Sequence, residues 1–254
     1  AAAWALVGGE RPAIEPMSLA RLAQRAENEY VGVGCGLMDQ FAAVFGRVDH
    51  ALFLDCRTLV HRPIPLPVDD IALVVCHTGT PRRLEASGYS DRRAECDRAV
   101  EALARLDGRV RSLRDATPEL LEMARDRMDA VAFRRARHVA TENARVLATI
   151  DALEASDLAS VGRLFAESHS SLRDDFEVGS PELDALVELA VTTPGVVAAR
   201  PTGAGFGGCT VNLVRHDATA ALRERILGEY PARTGRRSTI WLVAAAAGAG
   251  PLAA

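Results

Sequence analysis

A long run of helix-forming sequence between strand-like segments constrains the fold of this chain more than any other feature. Five successive segments carry apolar residues at helical spacing. Two of them begin with a capping residue followed by proline, at Thr117-Pro118-Glu119 and Ser180-Pro181-Glu182, as the geometry of a first helical turn favours. The predicted helices cover residues 87–106, 118–129, 131–154, 157–173 and 181–192.

Strand-like segments lie on both sides of this helical block. Those before it read HALFLDC, TLVHRPIPL and IALVVCHTG, and those after it read VVAAR, CTVNLV and STIWLVA. A further helix is predicted near residues 217–229. At the start of the chain, a Ser18 cap predicts a helix over residues 18–29, and a short helix runs from about Leu37 to Phe45. The pattern predicts an α+β chain.

The stretch PLPVDD, residues 65–70, is the best linker candidate, because two prolines and two acids stand between strands. We therefore expect one lobe in residues 1–66 and a second in residues 67–254. The opening AAAWALV has no initiator Met and reads like the interior of a helix, so we expect the first lobe to be incomplete. The alanine-rich tail is expected to fray.

Composition excludes several classes of function. A net charge of -4 and an aromatic content of 5% argue against nucleic-acid binding. No apolar run approaches the ~20 residues that cross a bilayer, so no membrane partner is expected. The five cysteines are scattered and never spaced C-x-x-C, and the six histidines show no H-E-x-x-H pattern. This usage predicts reduced thiols in a cytoplasmic protein rather than disulfides or a zinc site.

Asp39 stands out in the segment GCGLMDQF, where it follows a glycine-bracketed turn and precedes an apolar stretch. An isolated ionised carboxylate in apolar surroundings is costly unless it is paired or hydrated. Either a group within the chain satisfies Asp39 or the site receives a ligand. A position at the start of a short helix favours the ionised form, because the helix dipole is positive there. Taken alone, Asp39 could also be a helix-capping acid.

The segment TGAGFGG, residues 202–208, matches G-x-G-x-x-G by letter and suggests a dinucleotide site. Such a site needs a helix directly after the loop, and the strand CTVNLV follows instead, so we reject that interpretation. Glycines allow positive φ angles and close approach of the backbone to another group. A mobile β-turn is the alternative.

Five segments in order resemble those of galactokinases, members of the galactokinase–homoserine kinase–mevalonate kinase–phosphomevalonate kinase (GHMP) superfamily. They read GVGCGLMDQFAAVFGRVDHALFLDCRTL, SGYSDRRAEC, RRARHVATENARVL, SHSSLRDDFEVGSPELD and RPTGAGFGGCTVNLV. The resemblance runs from about Leu19 to Leu242. It implies a two-lobed α+β GHMP kinase fold whose C-terminal lobe packs helices on a mostly antiparallel sheet.

The resemblance also implies roles for individual residues. Asp39 would face the anomeric hydroxyl of the sugar as general base or electrostatic partner, and the backbone at Gly36 would touch the sugar. Glu27, in the segment AENE, would be a magnesium ligand, and Tyr89 would contact galactose. The loop glycines would line the floor of the active site between the lobes; they are Gly203, Gly205, Gly207 and Gly208.

The implied activity is transfer of the ATP γ-phosphoryl group to the C1 hydroxyl of galactose, with Mg2+ as cofactor. Galactose and ATP are the expected partners, and we expect a monomer. Other sugar 1-kinases, acting on N-acetylgalactosamine or arabinose, are the close alternatives. A non-catalytic sugar-sensing regulator on the same fold, and an unrelated binding domain that shares only glycine-rich segments, are the alternatives from other classes.

The sequence departs from the family pattern in three places. An R-x-N-L-I-G-E-H-x-D-Y-like segment and a P-x-G-x-G-L-S-S-S-A loop do not occur in it, and Ala204 stands where the family usually has glycine. The second of these segments cradles the ATP phosphates at a helix N-terminus. We therefore expect the 254-residue chain alone to be inactive or very weak.

Simpler interpretations exist for several of these residues. Glu27 could be a solvated residue of an amphipathic helix, and Tyr89 a boundary aromatic. A group of arginines could form an anion patch, but a solvated helix face paired with Glu142 is the preferred interpretation; the group is Arg134, Arg135 and Arg137. His169 is interpreted as structural, and Cys35 as a small buried filler.

Overall fold

The structure is a computed structural model that describes residues 14–32, 34–80, 86–203 and 205–250, apart from the side chains of residues 86, 87 and 89. The chain divides into two compact units. The first comprises the described residues up to Leu66 together with those from Ala244 onward, and the second comprises Pro67–Val243.

The first unit combines a helical segment with a β-hairpin. Its elements are α1 (Pro16–Arg25), a π-helix (Ala26–Val31), α2 (Met38–Phe45), β1 (His50–Leu54) and β2 (His61–Pro65). The two strands pair antiparallel, with His50 opposite Pro65 and Leu54 opposite His61. Phe41 of α2 stacks on Phe45 with ring centroids 4.7 Å apart, and both rings contact His61, so the helix packs against the hairpin.

Helix α1 begins at Pro16, and the predicted Ser18 cap is wrong. The carboxylate of Glu15 accepts hydrogen bonds from the backbone N–H groups of Met17, at 2.9 Å, and Ser18, at 2.7 Å. Pro16 follows at the first helical position, where its missing N–H costs nothing. Helical structure continues to Val31, but the last turns are π-helical.

The alanine-rich tail differs from the prediction as far as residue 250, because backbone hydrogen bonds hold it to the first unit. Asp49 N donates to Ala245 O at 3.3 Å and Gly248 N donates to Gly46 O at 2.8 Å. The expected fraying, and the assignment of this segment to the second lobe, are therefore corrected over the described residues.

The second unit contains the helical block and a sheet. Its elements are β3 (Ile71–His77), α3 (Ala86–Leu106), α4 (Pro118–Ala124), α5 (Ala130–Glu154), α6 (Leu158–Asp174), α7 (Pro181–Val191), β4 (Val196–Thr202), β5 (Cys209–Arg215), α8 (Thr219–Thr234) and β6 (Thr239–Val243). The two predicted caps are confirmed: Thr117 Oγ1 and Ser180 Oγ each accept a backbone hydrogen bond of 3.2 Å at the start of α4 and α7.

The four strands of the second unit form an antiparallel sheet in the order β4-β5-β3-β6. Alternate residues face opposite sides, so Val214 packs with α7 and α8, while Leu213 packs with α6. A separate apolar core joins α3, α4 and α5. The predicted α+β class, with helices packed on an antiparallel sheet, is confirmed. Within the described ranges, every helix is too short or too polar to serve as a bilayer-crossing segment.

Candidate active site

Asp39 lies in the first turn of α2 with its side chain exposed. Leu37 is the N-cap residue of this helix, and no side chain caps it. The helix-capping interpretation of Asp39 is therefore wrong. Within the part of the chain that the structure describes, no hydrogen bond or ion pair engages its carboxylate, so both oxygens are available to a ligand.

Gln40, the next residue, is buried instead and is 6% exposed. Its Nε2 donates to Glu27 Oε1 at 2.7 Å, and the thiol of Cys35 donates to Glu27 Oε2 at 3.3 Å. Glu27 is thus exposed but held in place by two neighbours. Sequence reasoning missed Gln40, although a polar residue at the head of the apolar stretch QFAAVF was a signal for a buried hydrogen bond.

The turn that carries Gly36 is fixed to the preceding helical segment by side-chain amides. Asn28 Oδ1 accepts from Cys35 N at 2.9 Å, and Gln24 Nε2 donates to Cys35 O at 3.1 Å. Gly36 is exposed, and a Cβ atom placed there would meet no atom within 4 Å. Its backbone is therefore open to a ligand. Burial and the Glu27 carboxylate raise the pKa of the Cys35 thiol, which argues against a nucleophilic role.

The donor set beside Asp39 fits a magnesium ion that keeps most of its water and phosphate ligands. Glu27 supplies a carboxylate, and the amide oxygen Gln40 Oε1 is buried without a hydrogen-bond partner. Both are the hard oxygen donors that Mg2+ prefers, and one or two protein oxygens suffice when phosphates complete the shell. Among the described residues, three or more His, Cys, Asp or Glu side chains nowhere gather into an all-protein metal cluster.

The glycine loop, residues 202–208, lies in the second unit. Its glycines adopt the positive φ angles that the sequence suggested. Gly203, Gly205, Gly207 and Gly208 have φ angles of 81, 82, 125 and 87°. Two backbone hydrogen bonds tie the loop down, from Phe206 N to Val178 O at 2.7 Å and from Thr78 N to Gly208 O at 2.8 Å. Any residue with a Cβ atom at Gly205 would also clash with Val178.

A cavity of about 330 Å³ lies beneath this loop. Its walls include Arg92, Cys96, Phe176, Val178, Gly203 and Phe206. Phe206 has a φ angle of 59°, which is unusual for a residue with a side chain, and its ring packs against Gly88 of α3. Tyr89 follows Gly88 in the helix, but its side chain lies outside the described residues, as does Ala204.

The structure thus gathers Glu27, Gly36 and Asp39 in the first unit and the four loop glycines in the second. The interpretation of the arginines on α5 as a solvated face paired with Glu142 is wrong. Arg135 is buried, and all three arginines bind the turn between α6 and α7. Glu142 instead pairs with Arg145 at 2.7 Å and Arg200 at 3.6 Å.

Comparison with protein families finds two matches to one superfamily. The model for the N-terminal domain of GHMP kinases matches residues 1–47, and the model for the C-terminal part of GHMP kinases matches residues 149–232. The first match contains Glu27, Gly36 and Asp39, and the second contains the glycine loop.

Individual relatives agree with these matches. A galactokinase of Roseiflexus sp. (strain RS-1) is 48% identical over 91% of this chain, and a galactokinase of Chloroflexus aurantiacus is 44% identical over 91%. The chain spans 59% of the length of each of these curated relatives. The crystal structure of Lactococcus lactis galactokinase complexed with galactose superimposes with a TM-score of 0.90 at 36% identity, covering 97% of this chain and 63% of that one.

Proposed function

Because this chain belongs to the GHMP kinase superfamily, we propose that the whole protein is a galactokinase, which transfers the γ-phosphoryl group of ATP to the C1 hydroxyl of galactose. The observation that carries the proposal is the contrast between the exposed Asp39 and the buried Gln40 beside it. The carboxylate of Asp39 is exposed and has no bonding partner among the described residues, while the buried Gln40 donates to Glu27 at 2.7 Å. The first unit would be the N-terminal lobe of a GHMP kinase and the second its C-terminal lobe.

Asp39 would act on the sugar hydroxyl. Phosphoryl transfer needs a positioned hydroxyl and a group that receives its proton or stabilises the developing charge. The exposed carboxylate of Asp39 can accept a hydrogen bond from a sugar hydroxyl, and the open backbone at Gly36 can contact the same ring.

Glu27 and Gln40 would serve the cation that accompanies ATP. A bound Mg2+ neutralises charge on the transferred phosphoryl group. Glu27 would supply the charged oxygen ligand, and Gln40 would fix the rotamer of that carboxylate through its 2.7 Å hydrogen bond. Tyr89 would contact the sugar, and the glycine loop would line the floor of the active site.

We also propose that the protein works in the cytoplasm, because its five scattered cysteines, never spaced C-x-x-C, are typical of reduced thiols. The pI of about 5.9 does not distinguish one neutral sugar from another. The identity of the sugar is proposed from the galactokinase relatives, with N-acetylgalactosamine and arabinose as the other candidates.

The test is a substrate panel with the whole purified protein. The protein is supplied with ATP, Mg2+ and one sugar at a time: galactose, N-acetylgalactosamine or arabinose. The assay measures ADP release and the position of the new phosphate ester. We expect ADP release with galactose, with a product phosphorylated at C1. If only another sugar is turned over, that sugar and not galactose is the substrate. Galactose binding without ADP release would favour the sugar-sensing regulator.

A further inference from the structure

Val178, in the turn between α6 and α7, supports one part of the glycine loop. Phe206 N donates to Val178 O at 2.7 Å, and Gly205 lies so close to Val178 that a Cβ atom there would clash with it. The cavity of about 330 Å³ lies under Gly203 and Phe206. Together with the packing of the Phe206 ring on Gly88, the position of Val178 therefore limits where Gly205 and Phe206 can lie.

The turn that carries Val178 needs support of its own. It lies outside the helices, and Glu177 has a φ angle of 53°, in the left-handed region that residues with a side chain rarely adopt. Backbone bonds link the turn to the end of α6: Asp175 N and Phe176 N donate to Ser171 O at 3.0 and 2.9 Å, and Val178 N donates to Leu172 O at 3.1 Å. Such a conformation persists only where surrounding groups fix it.

Arg135 supplies that support from α5. Its side chain is 1% exposed, and its guanidinium donates in three directions. It binds Glu95 Oε2 of α3 at 2.6 Å, Asp175 O at 2.5 Å and Glu177 Oε2 at 2.8 Å. Two of these three acceptors belong to the turn, and the third anchors the guanidinium to a separate helix. The planar fork of arginine suits this task, whereas lysine would offer one point charge.

Arg92 reinforces the same arrangement from α3. It binds Glu95 Oε2 at 2.7 Å and Glu177 O at 3.2 Å. The hydrogen bond with Arg135 is the main cause that lowers the pKa of Glu177. Burial raises the pKa of Glu95, but the bonds and charges of Arg135 and Arg92 outweigh it and lower the pKa overall. Both acids therefore stay ionised around neutral pH, and the buried cation keeps its partners.

We propose that Arg135 is a positioning residue for the glycine loop, which it holds in place through Glu177, Asp175 and Val178. Arg135 would contact neither the sugar nor ATP and would act only through the turn between α6 and α7. The consequence for turnover rests on the proposed function, because the loop matters for catalysis only if it forms the floor of the kinase site. The ordering of the loop itself does not rest on that function.

The experiment compares Arg135→Met and Arg135→Lys with wild type in the whole protein. Amide hydrogen exchange at Phe206 reports its bond to Val178 O directly. We expect this exchange to become at least tenfold faster in Arg135→Met, while amides of β5 keep their wild-type rates. Arg135→Lys should recover only part of the protection. With ATP and galactose, we expect kcat to fall about tenfold and the KM for galactose to change less than twofold.

Arg98→Met is the matched control. Arg98 also joins α3 to α5, because it binds Asp129, the residue that caps the start of α5, at 3.2 Å. Arg98 is half exposed, however, and does not touch the turn. It should leave Phe206 exchange and kcat unchanged. If Arg135→Met does not fold, Glu177→Gln removes one acceptor from a partly exposed position and should raise Phe206 exchange to a smaller extent.

Unchanged exchange at Phe206 in a folded Arg135→Met or Glu177→Gln protein overturns the proposal. Exchange that rises equally throughout β5 also overturns it, because it would assign Arg135 a general role in stability. If the protein has no sugar kinase activity but exchange at Phe206 still becomes faster in Arg135→Met, this inference stands and the proposed function is rejected.

Discussion

Gln40 Nε2 lies 2.7 Å from Glu27 Oε1 and joins two helical segments that the chain separates by a glycine-bracketed turn. The bond explains why neighbouring residues of α2 diverge. Gln40 must face inward to reach Glu27, and the helix then directs Asp39, one position earlier, away from that contact. A buried amide thus orients the carboxylate of Glu27, while the neighbouring Asp39 remains exposed within the described structure.

Removing this amide should weaken the response to magnesium. In Gln40→Leu, Glu27 loses the donor that fixes its rotamer, and we expect the Mg2+ concentration for half-maximal activity to rise about tenfold, since partners of metal ligands contribute roughly 10–100-fold to affinity. Titration of activity with Mg2+ at fixed ATP measures the shift. Glu29→Gln, which alters an exposed pair with Arg25, is the control. If the Mg2+ titration is unchanged, Gln40 does not contribute to magnesium binding.

Replacing Asp39 should remove turnover and keep the fold. Asp39→Asn retains size but loses the proton-accepting carboxylate, and we expect kcat to fall about 10²–10⁴-fold, the usual contribution of a positioned base. Because Asp39 is exposed and does not cap α2, the thermal midpoint should stay close to wild type. ADP release and calorimetric binding of galactose distinguish the roles. Full activity in Asp39→Asn would reject Asp39 as the catalytic group.

The helical block and the sheet could be predicted from the sequence because they follow local rules. Apolar spacing and the Ser-Pro and Thr-Pro starts located the helices of residues 87–192, and strand patterning located the sheet. The proposal that Asp39 and Glu27 belong to the site came from family resemblance. Neither periodicity nor spacing distinguishes a free carboxylate from an ordinary solvated one.

The interactions that the sequence did not reveal depend on tertiary contacts. Arg135 binds residues 40 and 42 positions away, and nothing in the local pattern separates it from the arginines beside it. The cap of α1 was missed because Glu15 acts where a shorter side chain was expected. The tail was misassigned because its alanines carry no pattern, and backbone bonds such as Gly248 N to Gly46 O hold it.

Backbone geometry predicts that Gly205 is irreplaceable. At a φ angle of 82° and against Val178, alanine would meet both conformational strain and a clash. We expect Gly205→Ala to destabilise the second unit by about 1–3 kcal/mol, the usual cost of such strain. Gly228→Ala is a matched control, because Gly228 lies in α8 with open space around it, and alanine there should be neutral or gain up to about 1 kcal/mol. Denaturant unfolding compares the two, and equal effects would contradict the geometric argument.

Burial of His138 predicts a dependence of stability on pH. Its Nδ1 lies 2.9 Å from Ser171 Oγ, and its ring stacks on Phe176 at 4.5 Å. Burial lowers the pKa of His138 from 6.5 to about 4. The unfolded chain therefore binds a proton at a higher pH than the folded protein does. This contribution to stability is complete above about pH 6.5 and is lost as the pH falls toward 4.

Urea unfolding of wild type and His138→Gln at pH 7.5 and pH 5 measures this effect as the difference between the two proteins, because burial also lowers the pKa of His169, which is present in both. Wild type should lose about 2 kcal/mol of unfolding free energy on this account between the two pH values, following the factor of 1.36 kcal/mol per pKa unit. His138→Gln should be less stable at pH 7.5, because it loses the stack on Phe176, but its stability should fall less on acidification. If both proteins lose the same free energy, His138 does not carry the pH dependence, and another buried group must take up the proton.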